Sequence, residues 1–239
     1  MDGSALTLDR WMARRLVEDK VSLVRVPLPF QPSATGRGYR VAVSDGVEIL
    51  ATNDADFRAV IAGYLPVKVG DRLWVREDSM RFARRDRSGL AGEWTIVYAA
   101  DTPRGEYALP RGYGMWSCEV RGPEEMTRAE SRATLLVRGV RVARVQDLSE
   151  DDAELEGMPE PYLGDADPPF VEQSIMVSRK MQSRNHWNRR FGAIPELRHS
   201  ANPWVMEINV LPVMVNVDCI SDDSLRAASS GSLLNLAPV

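Results

Sequence analysis

Hydrophobic positions change period along this chain, and each change marks an element. Leu8, Trp11, Met12 and Leu16 fall at i, i+3, i+4 and i+8, one face of a short amphipathic helix. Asp9 stands near its start, where a carboxylate suits the helix dipole. The run VSLVRV (21–26) then reads as a strand, ended by Pro27, Pro29 and Pro32. YRVAVSDGVEILA (39–51) has two alternating arms around Asp45-Gly46, the pattern of a hairpin. Residues 54–65 predict a helix with Phe57, Val60, Ile61 and Tyr64 on one side. RLWVRE (72–77) predicts a strand that places Leu73 and Val75 on one face.

From Met80 to about Pro123 the chain is polar and broken by glycine and proline, with one short strand at 94–100. The clearest β signal is SRATLLVRGVRVARV (131–145), in which Gly139 marks a bulge or bend. Ser149 is a good N-cap for an acidic helix over 150–156, and Gly157 suits its C-terminal end. Four prolines make 159–169 a loop. Residues 170–190 predict a helix burying Val171, Ile175 and Met181. PWVMEINV (203–210) predicts a last strand, with Trp204, Met206, Ile208 and Val210 on its inner face. Scattered strands with few helices predict an α+β fold, a small mixed barrel rather than a parallel βαβ sheet.

Composition narrows the function classes. Hydrophobic residues make up 44% and charged residues 27%, the balance of an ordinary globular protein. No stretch approaches the ~20 consecutive apolar residues of a membrane helix. The first residues lack the apolar core of a secretory signal, so a cytoplasmic location is expected. Cys118 and Cys219 read as reduced thiols. With His186 and His199 they show no metal-ligand spacing, so neither a metal nor another cofactor is expected. The net charge of −4 argues against coating nucleic acid by bulk positive charge. It leaves room for local basic faces, and two runs offer them: RFARRDR (81–87) and RKMQSRNHWNRR (179–190). Basic residues beside an aromatic suit single-stranded nucleic acid, and a solvated helix face accounts for them equally well.

Four segments in order resemble the ASCH proteins of bacteriophages and prophages, within the PUA-like superfamily. They are MARRLVEDKVSLVRV (12–26), GDRLWVRE (70–77), the block from Met126 to Met158 with its V-x-R-V-Q-D-L-S turn, and NPWVMEINV (202–210). The resemblance implies one PUA-like β-barrel domain over 1–217, flanked by helices. It makes about 27–68 an inserted hairpin-helix segment, and the polar composition after Asp218 makes 218–239 an expected flexible tail. It also implies a cleft whose default ligand is RNA or a nucleotide, bordered by Arg25, Arg76, Arg128 and Arg132, with Trp204 placed to stack on a base. The alternative for these arginines is surface ion pairing, Arg76 with the neighbours of Glu77 or Arg128 with Glu125. For Trp204 the alternative is the core.

Some members of that superfamily are amidohydrolases that use a Lys, a Thr and a Glu. Here Val21 and Val24 stand at the Lys and Thr positions, and only Glu156 matches. Shifting the alignment by one residue supplies Lys20 but puts Leu23 at the Thr position. Ser22 points to the opposite face of the strand. The expected function is therefore a non-catalytic RNA- or nucleotide-binding module. One alternative is an amidohydrolase-like enzyme working around Glu156 with a changed catalytic set. The other is a phage accessory or assembly protein that contacts only proteins.

Overall fold

The computed structural model describes residues 4–36, 38–43, 46–85, 92–102, 116–163 and 176–220. In chain order the elements are β1 (Ala5–Thr7), α1 (Arg10–Val17), β2 (Leu23–Pro27), β3 (Ser33–Thr35), β4 (Gly38–Ala42) and β5 (Glu48–Ala51). Next come α2 (Asp54–Ile61), β6 (Arg72–Arg76), β7 (Ser79–Arg84), β8 (Thr95–Tyr98), β9 (Trp116–Arg121) and β10 (Thr134–Arg144). The last are α3 (Glu150–Leu155), β11 (Tyr162–Leu163), β12 (Met176–Val177), α4 (Arg179–Phe191) and β13 (Trp204–Val213). The fold is α+β. No sheet closes into a barrel among the described residues: the sheets run β1-β6-β10-β13-β2, β3-β4-β5, β8-β7-β9 and β11-β12. No helix among them is long and apolar enough to cross a membrane.

The chain divides into two compact units, one of Met1–Arg14, Arg72–Leu136 and Pro212–Val239, the other of Arg15–Asp71 and Val137–Leu211. In the first, β1 lies parallel to β6 and the start of β10 antiparallel to it. Trp74, Met126 and Val217 form a small core with Tyr98 packed against it. The segment that reads as polar and broken builds the sheet β8-β7-β9. Its composition misleads because the sheet is only partly covered: Met80 and Phe82 are buried, whereas Val120 is exposed. Arg81 and Glu119 pair across it in register.

In the second unit β13 runs antiparallel to β2. Trp204 is 1% exposed and packs against Phe57, with ring centroids 4.6 Å apart. The inserted segment carries β3-β4-β5 and α2, capped by the Asn53 side chain, which accepts from the Asp56 amide. Phe57 and Ile61 are buried as expected, but Val60 and Tyr64 are exposed. α2 ends at Ile61, and the tighter 3₁₀ turn Ala62–Tyr64 rotates the next side chains off the helical stripe. β10 runs straight through Gly139, where an added Cβ would sit 3.3 Å from Asn209 Nδ2.

α3 starts where expected and ends one residue earlier, at Leu155, with Glu156 as its C-cap. Ser149 Oγ accepts from the Asp152 amide, and the Asp152 carboxylate accepts back from Ser149. Gly157 follows at φ +84°, and a Cβ there would meet Lys20 O at 3.1 Å. That close approach requires glycine. α4 is shorter than its sequence pattern: it begins at Arg179 under the Ser178 cap, and Met181 is half-buried. Val171 and Ile175 lie outside the described residues.

Candidate nucleic-acid interface

Three elements of the second unit bring a buried charge cluster together. β2 supplies Arg25, the C-terminal end of α3 supplies Glu156, and α4 supplies Ser183. Ser22 N bonds to Leu155 O at 2.8 Å and Arg15 Nε to Gly157 O at 2.7 Å, which fixes the end of α3 beside β2. Arg25 is 3% exposed, Glu156 5% and Ser183 1%.

Arg25 forks onto Glu156, with Nε donating to Oε1 and Nη2 to Oε2 at 3.1 Å. Nη2 also donates to Ser183 Oγ at 2.7 Å, and Nη1 donates to Val145 O at 3.0 Å. The Ser183 hydroxyl then donates to Glu156 Oε2 at 2.6 Å. Below the guanidinium, its carbon lies 5.7 Å from the centroid of the Trp187 ring. A charge held this far from water needs a partner and filled hydrogen-bond positions, and this cluster provides both.

A second acid lies close by. Glu207 is the register partner of Arg25 on β13 and is 0% exposed. Burial pushes its carboxyl up from the ordinary range, against the opposing charge of Arg141. Arg141 Nε donates to Glu207 Oε2 and Arg141 Nη2 to Asp152 Oδ1 at 3.1 Å. Glu207 Oε1 is buried with no partner among the described residues.

Two of the other expected ligand-binding arginines, Arg132 and Arg128, also meet carboxylates. In the first unit Arg132 forks onto Glu77 at 2.8 and 2.9 Å and holds Asp101 through Nη1 at 2.6 and 2.8 Å. Burial pushes Glu77 up from its usual range, and Arg132 opposes that shift. Arg128 pairs with Asp218 at 2.7 Å, which ties down the first residue of the expected flexible tail. Residues 221–239 of that tail lie outside the described residues. Arg76 stacks on Trp74 at 4.8 Å, and its buried Nε has no hydrogen-bond partner among the described residues. Trp204 is a core residue: Phe57, Tyr39 and the Arg144 guanidinium cover its ring, so no face is open to a base.

The two basic runs separate. Arg81 pairs with Glu119 and Arg85 donates to Ser117, while Arg87 lies outside the described residues. α4 instead has two faces. Ser183, His186 and Trp187 are buried, and Arg179 on their flank pairs with Glu160 at 2.6 Å. Lys180, Arg184, Asn185, Asn188 and Arg189 are exposed. The side chains of Lys180, Arg184 and Arg189 meet no carboxylate at ion-pair distance among the described residues.

At the far end of that outer face Asn188 Oδ1 accepts from the His199 amide at 2.9 Å. Burial, then the charges of Arg184, Arg25 and Lys180, hold the His199 imidazole below its usual range. Sequence reasoning singled out Arg25 and Glu156 but not Ser183, Glu207 or His199. A serine within a polar run and a glutamate on the outward phase of an alternating strand carry no signal of burial. No family model, no curated protein and no solved structure matches this chain.

Proposed function

We propose that this chain is a non-catalytic nucleic-acid-binding module for RNA or a nucleotide, related to the PUA-like proteins it resembles, and that the outer face of α4 meets the ligand. One observation carries the reading. In an acidic chain whose Arg25, Arg128, Arg132, Arg141 and Arg179 each hold a carboxylate, Lys180 and Arg184 share one exposed stripe of α4, Arg189 is exposed further round the helix, and none of the three meets a carboxylate among the described residues. Uncompensated cations beside Asn185 and Asn188 suit phosphate and base edges. Arg25 and Arg132, expected at the ligand, have their forks filled by carboxylates, so the binding surface moves to α4.

The test is a fluorescence-anisotropy titration with single-stranded and hairpin RNA at two salt concentrations. Replacing Lys180, Arg184 and Arg189 together by Gln is expected to weaken binding at least roughly tenfold. It is also expected to flatten the log–log salt slope by about two units, close to 0.7–0.9 for each phosphate no longer neutralised. Unchanged affinity and slope would remove the reading.

The amidohydrolase alternative draws on one observation, the Ser183 hydroxyl placed 2.6 Å from Glu156. A nucleophile must be reached by its substrate. At 1% exposure, with the carboxylate occupied by Arg25, Ser183 is closed to a carbonyl carbon. Turnover of N4-acetylcytidine is therefore not expected. Turnover abolished by Ser183→Ala in a folded protein would reverse this conclusion.

A further inference from the structure

The sheet β8-β7-β9 ends on β9, which pairs only with β7 among the described residues. The phase of the hydrogen bonds tells what that edge offers. Ala99 N donates to Asp78 O at 2.9 Å, so the even-numbered residues of β7 turn their backbone groups toward β8. The odd-numbered ones, Ser79, Arg81 and Ala83, therefore face Arg121, Glu119 and Ser117 of β9 as hydrogen-bonded pairs. That directs the N–H and C=O groups of Trp116, Cys118 and Val120 at the outer edge. The side chains of the same three residues share a face with Met80 and Phe82. Phe82 is buried, with its ring centroid 5.6 Å from that of Trp116, whereas Cys118 is exposed and Val120 is 70% exposed. Outward backbone groups and an apolar strip coincide here, and such an edge is a template for another strand.

We infer that β9 is a self-association edge, at which β9 of a second copy of this chain pairs antiparallel across a two-fold axis with Cys118 opposite Cys118. This interface is independent of RNA binding by α4. The strand's own sequence argues for a copy of itself as the occupant. In that register Trp116 stands opposite the second copy's Val120, and Val120 opposite its Trp116, so an aromatic–β-branched pair forms twice. On the other face Glu119 stands opposite the second copy's Ser117. Arg85 Nε donates to Ser117 Oγ at 2.8 Å, which leaves the hydroxyl proton to donate to the incoming carboxylate. Each Glu119 therefore meets a hydroxyl backed by an arginine rather than a second acid, and charge complements the pairing. Moving the axis to Val120 would keep the hydrogen-bond phase but shorten the overlap, because β9 ends at Arg121. A single strand pair is a small interface, so the association is reversible and rises with concentration.

The experiment uses the full chain with Cys219→Ser, which leaves Cys118 as the one thiol. Diamide oxidises two thiols to a disulfide and takes up their two protons and two electrons. Opposed residues of a hydrogen-bonded pair have Cα atoms about 5.5 Å apart, within disulfide reach. The control chain carries Cys118→Ser and Glu119→Cys as well. Its thiol is likewise exposed but stands diagonally from its copy, about 7–8 Å away and outside that reach. Each cross-linking rate is divided by the reactivity of the same thiol toward Ellman's reagent. The Cys118 dimer is expected to form at least roughly tenfold faster than the control dimer. In sedimentation velocity the reduced wild-type chain should shift toward the dimer as concentration rises. Val120→Lys, which removes the contact with Trp116, should hold it monomeric and slow the cross-link.

Equal normalised rates at the two positions would overturn the edge, since a dimer held elsewhere brings neither thiol to its copy. A wild-type chain that stays monomeric at every concentration would overturn it too. If its Cys118 also reacted slowly with Ellman's reagent, the edge would be covered from within the chain. A folded Val120→Lys variant that still dimerised would likewise exclude this face. The cross-linking comparison and the wild-type sedimentation both stand even if Val120→Lys fails to fold.

Discussion

The two faces of α4 carry the same residue chemistry under opposite conditions. Beneath the inner face Arg25 is sealed from water and tied to Glu156, Ser183 and Val145. On its exposed surface Lys180, Arg184 and Arg189 stand in solvent with no carboxylate among the described residues. Burial explains the difference. A buried guanidinium without a counter-charge costs several kcal/mol, so the fold supplies one, whereas an exposed cation is stabilised by water and needs none. Arginine in a basic run or beside a suspected cleft is therefore not evidence of ligand binding until its partners are known. In this molecule the buried arginines are structural and the exposed ones of α4 are available.

The comparison predicts effects of very different size. Glu156→Ala leaves Arg25 buried without its carboxylate, and urea denaturation should show a loss of about 3–5 kcal/mol. A loss below about 0.5 kcal/mol would mean that the inner cluster is not sealed. Arg25→Lys keeps the charge but cannot form the two-pronged pairing. A loss of about 1.5–3 kcal/mol is expected, read in the same way. The Lys180, Arg184 and Arg189 replacements should leave the melting temperature within a degree or two, since all three are exposed, while RNA affinity falls. A melting temperature that fell along with affinity would show that the outer face is structural as well.

The smallest effect belongs to Asp152, a surface carboxylate at the start of α3. Burial opposes its ionisation, but hydrogen bonds from Ser149 and the charge of Arg141 outweigh it and hold the carboxyl below the usual range. A carboxylate depressed in the folded state contributes stability above its unfolded pKa and loses it as pH falls through the folded one. Asp152→Asn should therefore cost about 0.3–1 kcal/mol at neutral pH. The difference from the wild type should begin to shrink as pH falls past the ordinary aspartate value of about 3.9 and vanish only below the lower folded value. A difference that persists in acid would assign the effect to hydrogen bonding rather than charge.

Much of the fold was legible in the periodicity. The strands at 21–26, 72–77, 131–145 and 203–210 are present as β2, β6, β10 and β13 and belong to one sheet order. The helix at 150–156 is present with its Ser149 cap and its glycine end. These elements declare themselves through local spacing, capping and turn chemistry, which act within a few residues. Of the sheet β8-β7-β9 only β8, the strand expected at 94–100, was legible, because the half-exposed strands β7 and β9 mix polar and apolar residues and resemble a loop.

The sequence by itself determined which residues carry charge, which positions favour strand or helix, and that Arg25, Glu156 and the run 179–190 were candidates. Only the tertiary structure decided that Arg25 and Glu156, 131 positions apart, neutralise each other, and that Ser183 closes their network. It also decided that β13 is buried on both faces. Glu207, on the phase that alternation assigns to solvent, is therefore sealed in beside Arg141. Alternation records the polarity of each side chain, but what covers the second face of a strand is set by segments far along the chain. The same physics separates the paired arginines from the exposed ones of α4, because the counter-charge of a buried cation arrives through packing and not through its neighbours in sequence.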